Sequence, residues 1–232
     1  MLKNTHLVGG AMAFASLTAF TGLPSSLEET VTYFLSCMIG SVLPDIDHHK
    51  SKLSNSDIVL GALSDTISTL TPHRGIVHTP LGCAGISAIG YIGARWFSLH
   101  AEKSAAVILA VFVFVLFHIQ KNVKKLHKFG GVCAILTLLF YSDICSYGYS
   151  LYTAAHSFQM RAGIEIFVSK GLLVGSMCHI LLDTLNPEGI MLFYPNRKRI
   201  HLATIKTGGR MESVIKCLLG IASIVIFACS II

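Results

Sequence analysis

Seven apolar runs recur along the chain, at Leu7–Leu23, Val31–Leu43, Ile76–Phe97, Ala105–Ile119, Phe129–Ser146, Gly171–Leu185 and Val214–Ile232. Crossing the hydrocarbon layer takes about 20 apolar residues in a helix, with about 17 to 25 tolerated. The first, third, fifth and seventh runs reach that length. The second, fourth and sixth are shorter, and are expected to be tilted, extended by flanking polar turns or only partly spanning. Composition agrees, because only 13% of residues are charged where soluble domains carry about 25%. The expectation is an all-α, polytopic transmembrane helix bundle of about five to seven spans. Residues 1–232 then form a single integral membrane domain, with no room for a second globular unit.

If every run spans, the loops alternate between two sides. All 18 Lys and Arg residues then fall on one side except Arg95, Lys103, Arg161 and Lys170. Cytosolic loops carry the Lys/Arg excess, so the rich side is cytosolic, the N-terminus is cytosolic and the C-terminus lies outside. The net charge of +6 is thereby accounted for without nucleic acid as a partner. Membrane lipid, with some attraction to anionic headgroups, is the expected partner instead. The first run could also be read as a signal peptide, but His6, just before it, has a use as part of the span. The seven cysteines include no C-x-x-C pair, and most lie in apolar stretches as small hydrophobes.

The alternation returns four polar stretches to the cytosolic side. His6 precedes the first run, and Pro44-Asp45-Ile46-Asp47-His48-His49 ends the second. Thr71-Pro72-His73-Arg74-Gly75-Ile76-Val77-His78 opens the third, and His179 with Asp183 lies in the sixth. His179 and Asp183 are spaced i, i+4, so on a helix they share a face. An Asp in mid-span costs about 2.5–3.5 kcal/mol on insertion scales, so such residues usually face the bundle interior with a partner. A helix-to-helix hydrogen bond would also account for this pair. Asp45 and Asp47 flank Ile46 after Pro44, where both carboxylates can approach one cation or be merely solvated. His73 and His78 bracket Gly75, where the backbone can approach a ligand closely. Arg74 cannot ligate a metal, but its planar fork suits a phosphate or carboxylate. His48, His49, His118, His127, His156 and His201 look interfacial.

Together His6, Asp45, Asp47, His73, His78, His179 and Asp183 form a candidate metal-ligand set. Imidazole and carboxylate suit Zn and similar divalent ions. Seven candidates exceed the four positions of a tetrahedral zinc, so one or two ions are expected. A pair bridged by carboxylate would use the set fully. The absence of Cys from it argues against a structural zinc. Such a centre suits hydrolysis, with Asp183 or Asp47 as base and Arg74 on the substrate. No G-x-S-x-G elbow, phosphate-binding P-loop or dinucleotide glycine pattern is present.

At these residues the chain resembles the YdjM-like family of LexA-regulated, membrane-bound, metal-dependent hydrolases of bacterial inner membranes. The matching elements are His6 before a Gly-rich helix, Leu43-Pro44-Asp45-Ile46-Asp47, His73-Arg74-Gly75 with His78, His179 with Asp183, Asn186-Pro187-Glu188-Gly189-Ile190, and Phe193-Tyr194-Pro195. They run in order over about residues 5–200. His48-His49-Lys50 departs from the family pattern, and the loop 121–128 and the span 214–232 are additions to it. The resemblance implies a zinc-type hydrolase similar to phospholipase C-like enzymes, in the bacterial inner (cytoplasmic) membrane. The function expected is metal-dependent hydrolysis at the cytosolic face, on a lipid or phosphoester substrate. A divalent metal or proton transporter, a bis-His haem protein and a non-catalytic membrane protein are the competing readings.

Overall fold

The structure, a computed structural model, describes residues 2–48, 58–72, 74–99, 130–139 and 163–231. Among these residues there are seven α-helices: α1 (Lys3–Thr21), α2 (Leu27–Gly40), α3 (Ile58–Leu70), α4 (Pro80–Leu99), α5 (Gly130–Leu139), α6 (Ile164–Asp183) and α7 (Arg210–Ile231). Short 3-10 turns occupy Leu43–Asp47 and Ile76–His78. No strand is present among the described residues, only an isolated antiparallel bridge between Ile190 and Ile200. The chain is all-α, as its apolar runs predict. The fourth run, Ala105–Ile119, lies outside the described residues, as do His49, His73, His118, His127, His156 and the loop 121–128.

Two described helices are long and apolar enough to cross a membrane: Ile164–Asp183, of mean hydropathy 1.5, and Arg210–Ser230, of mean hydropathy 2.2. The first corrects the sequence expectation, which starts the sixth run at Gly171 and counts it short. Its helix begins seven residues earlier, at Ile164. Lys170, Ser169 and Glu165 are the polar residues that hide this extension, and Glu165 Oε1 is 3.0 Å from Arg95 Nη1 on α4. Helix α3 was not anticipated either. Leu60, Leu63, Ile67 and Leu70 recur at helical spacing within a stretch too polar to count as an apolar run.

Helix α6 is the hub, packed on α1, α2 and α4, while α7 lies along α1. The α1, α2 and α6 contacts are close because small residues line them. A Cβ on Gly175 of α6 would collide with the carbonyl oxygen of Cys37. From the opposite side, a Cβ on Gly10 of α1 would lie 2.7 Å from Ser41 Oγ and 2.8 Å from that same carbonyl. The last turn of α2 is therefore clamped between two glycines. Phe14, Tyr33 and Cys37 form one buried cluster, and Cys83, Ile180 and Ile190 another.

Burial is inverted relative to a water-soluble domain. His6, His78 and His179 are each 0% exposed, whereas Leu218, Ile221, Ile224 and Val225 on α7 are exposed. Fully buried polar groups are rare unless they are paired, and apolar faces of this kind belong against lipid or a partner. Glu212 fastens α7 to the start of α1. Its Oε1 accepts from Leu2 N (2.6 Å) and Thr5 Oγ1 (2.7 Å), and its Oε2 accepts from Gly208 N (2.6 Å).

Candidate metal centre

The end of α6, the start of α1 and the two 3-10 turns meet at one end of the bundle. They bring together His6, Asp45, Asp47, Arg74, His78, His179 and Asp183. Of the residues expected at the site, only His73 lies outside the described residues.

His179 is central. Its Nδ1 lies 2.8 Å from the Ser41 carbonyl oxygen, an acceptor that puts the ring proton on Nδ1 and leaves the Nε2 lone pair free. Ser41 is held where it is by the clamped last turn of α2. On His78 the Nδ1 instead makes a charge contact, with Asp47 Oδ2 3.2 Å away, outside hydrogen-bond geometry. The two Nε2 atoms then face each other at 3.3 Å. Two Zn–N bonds of about 2.0–2.1 Å at a tetrahedral angle place their nitrogens about 3.3–3.4 Å apart, so the spacing fits a shared ion.

Three more groups surround these nitrogens. The His6 ring stacks on His179, with centroids 3.9 Å apart and planes 17° from parallel. Its Nε2 is 3.3 Å from Asp183 Oδ1, yet neither of its buried ring nitrogens makes a hydrogen bond among the described residues. Asp45 Oδ1 and Asp183 Oδ2 lie 3.7 and 3.9 Å from His179 Nε2. The donor atoms of His6, Asp45 and His179 are all within 4.8 Å of one another, as are those of His78, His179 and Asp183. The residues present thus fit a divalent ion in donor type, in spacing and in a buried imidazole left without a hydrogen bond. Burial raises the Asp45 carboxyl above its ordinary pKa, and the Asp183 charge adds to this while His6 and His78 oppose it.

Asp47 and Arg74 have different work. Asp47 Oδ2 faces His78 and also accepts from the Arg74 backbone N–H at 3.0 Å. That bond accompanies a φ of 62° at Arg74, a left-handed conformation uncommon outside glycine. The Arg74 guanidinium spans two carboxylates, with Nη2 3.3 Å from Asp183 Oδ2 and Nη1 3.0 Å from Glu188 Oε2. Nη1 also donates to the Gly189 carbonyl at 3.1 Å.

Sequence reasoning did not assign roles to Ser41, Glu188 or Glu212. Ser41 acts through its carbonyl, which no side-chain pattern reveals. Glu188 sits in a recognisable motif, but nothing there names Arg74 as its partner. Glu212 reads as one acid at the head of a span.

No curated protein and no solved structure matches this chain. The YdjM inner membrane protein family matches residues 1–120. That stretch is just over half of the 232 residues and carries His6, Asp45, Asp47, Arg74 and His78. His179 and Asp183 lie beyond it and are supplied by the fold. The chain belongs to the YdjM inner membrane protein family, and is a membrane protein whose buried His/Asp cluster has the makings of a metal site.

Proposed function

We propose that this protein is a multi-pass hydrolase of the inner membrane that holds a divalent ion, zinc by preference, at the cytosolic end of its helices. The observation that carries the proposal is the facing pair of His78 and His179 ring nitrogens at 3.3 Å. Each ring has its other nitrogen against an oxygen, a carbonyl in one case and a carboxylate in the other. His6, Asp45 and Asp183 complete the donor set. His179 offers only Nε2, because Nδ1 is committed to Ser41, so the two triads that share it are better read as one ion's surroundings than as two. A divalent ion held by such residues supplies Lewis acidity for cleaving an ester or phosphoester.

The protein's own groups supply the rest. Asp47 orients His78 and fixes the Arg74 backbone. Arg74 holds Asp183 in place and is the cation nearest to it, suited to a developing negative charge. The exposed apolar faces of α7 support a lipid environment and an amphiphilic substrate. The N-terminus is assigned to the cytosol because the site lies at the Lys/Arg-rich ends of the runs. Against a transporter, Glu165 toward the opposite end of α6 is engaged by Arg95 at 3.0 Å, not available to a proton or ion relay.

The test is hydrolysis of a lipid extract or a phosphoester by purified protein. Turnover should stop with a chelator and return with zinc, and should be absent in Asp183→Ala. If no lipid or phosphoester changes while metal-loaded protein moves ions in liposomes, the transporter reading replaces this one.

A further inference from the structure

Beside the metal centre lies a second, basic cavity of about 360 Å³ lined by Pro72, Met191, Arg197 and Arg199. Its volume falls within the range of about 300–1,000 Å³ usual for small-ligand sites. Its walls are tied to the centre by one hairpin. Ile190 and Ile200 exchange backbone hydrogen bonds of 3.0 and 2.8 Å, which sets Met191 and Arg199 next to the bridge. Ile190 is fully buried against Cys83 and Ile180, so the hairpin root is pinned to the core. Gly189, one residue before the bridge, gives its carbonyl to Arg74, and Pro72 lies two residues from Arg74. Arg199 Nη1 donates to the Glu188 carbonyl at 3.3 Å, while the Glu188 side chain, 68% exposed, lies on Arg74. Glu188 thus touches two arginines, Arg74 through its carboxylate and Arg199 through its carbonyl.

We propose that this cavity is a phosphate subsite, in which Arg197 and Arg199 hold the phosphate group of the substrate beside the metal centre and the neighbouring Glu188 carboxylate, paired with Arg74, opposes it. This rests on the hydrolase reading and names its substrate class, a phosphate-bearing molecule. Arginine forks pair with phosphate in bidentate fashion, and each guanidinium has five N–H donors, so one bond to Glu188 leaves Arg199 with donors to spare. The Glu188 carboxylate sits on Arg74 outside the cavity lining, while the carbonyl of the same residue meets Arg199, so a negative charge stands next to the subsite. That charge therefore opposes phosphate binding.

The experiment measures binding, not turnover. Full-length protein in detergent micelles is titrated with inorganic phosphate and, separately, with short-chain phosphatidic acid in mixed micelles, and zinc content is measured on the same samples. Arg197→Ala with Arg199→Ala should weaken binding about tenfold or more, the usual effect of losing hydrogen bonds to a charged group, with zinc content unchanged. Glu188→Gln should shift affinity the other way. Lys198→Ala removes one positive charge from the same run, half of what the arginine variant removes, without lining the cavity, and should leave affinity within about twofold.

A loss in Lys198→Ala in proportion to its one charge, or larger, would mean general surface attraction and overturn the subsite. So would wild-type affinity in the arginine variant, or weaker binding in Glu188→Gln. Binding of phosphatidic acid well above inorganic phosphate identifies a lipid headgroup as the source, and equal binding identifies a free phosphate compound. Protein that binds phosphate through these arginines but carries no zinc would fail the hydrolase reading while leaving the subsite standing.

Discussion

His179 Nδ1 meets the carbonyl oxygen of Ser41 at 2.8 Å, and this one bond decides which face of the most central imidazole is left for a metal. Ligating histidines commonly give their second nitrogen to such an acceptor, which fixes the tautomer and the ring orientation. Here the acceptor is backbone, so its position depends on how α2 ends and on what presses against that end.

The division of labour between ligands and orienting groups can be tested by substitution. His179→Ala and His78→Ala remove donors and should abolish tight metal binding. Asp47→Asn leaves every proposed donor in place and disturbs only His78 and the Arg74 backbone. It should weaken affinity by about 10–100-fold, the usual cost of losing such a partner. Competition with a chromophoric chelator measures both. Equal losses in Asp47→Asn and His179→Ala would make Asp47 a ligand itself.

Gly175 has no room for a side chain, because a Cβ there collides with the Cys37 carbonyl. Gly175→Val should force α2 and α6 apart and move the Ser41 carbonyl off His179. Overpacking typically costs about 1–3 kcal/mol, and the variant should lose both thermal stability in detergent and metal content. The same substitution at Gly85, where a Cβ meets nothing within 4 Å, should be tolerated on both counts.

Much of the centre is legible in the sequence, for a physical reason. Ionisable groups are costly inside apolar runs, so His179 and Asp183 stand out at once. The alternation of runs carries His6, Asp45, Asp47, Arg74 and His78 to the same end. What is not legible depends on three-dimensional contact. The start of α6 is hidden because Lys170 looks like a boundary in the sequence, and Glu165 beyond it shows its Arg95 partner only in the fold. Helix α3 falls outside the apolar runs because five of its thirteen residues are Ser, Thr or Asp. The Ser41 carbonyl and the Arg74–Glu188 pair leave no trace in residue types or spacing.

Glu212 predicts a link between the last helix and the site. Its carboxylate accepts from Leu2 and Thr5, within one turn of His6, and from Gly208 before α7, and it is 2% exposed. Glu212→Ala leaves those donors without their acceptor, at about 1–3 kcal/mol for a buried unsatisfied group. It should lower thermal stability and weaken metal binding through His6. Glu212→Gln keeps an acceptor oxygen and should recover part of both. Unchanged metal affinity in Glu212→Ala would separate α7 from the site.

The proposed orientation rests on the Lys/Arg distribution and the common end at which the site assembles. A reporter fused at the N-terminus should read as cytosolic, and one at the C-terminus as external. A cytosolic C-terminus would mean that an odd number of the seven apolar runs does not cross.

Elemental analysis of the full-length protein purified in detergent shows whether His6, His78, His179 and the neighbouring aspartates hold a divalent ion. Wild type should carry zinc or a similar divalent metal at about one per chain, and His179→Ala recovered from the membrane at normal yield should carry little or none. Metal-free wild type that binds no added zinc, or undiminished metal in His179→Ala, would contradict a metal site there.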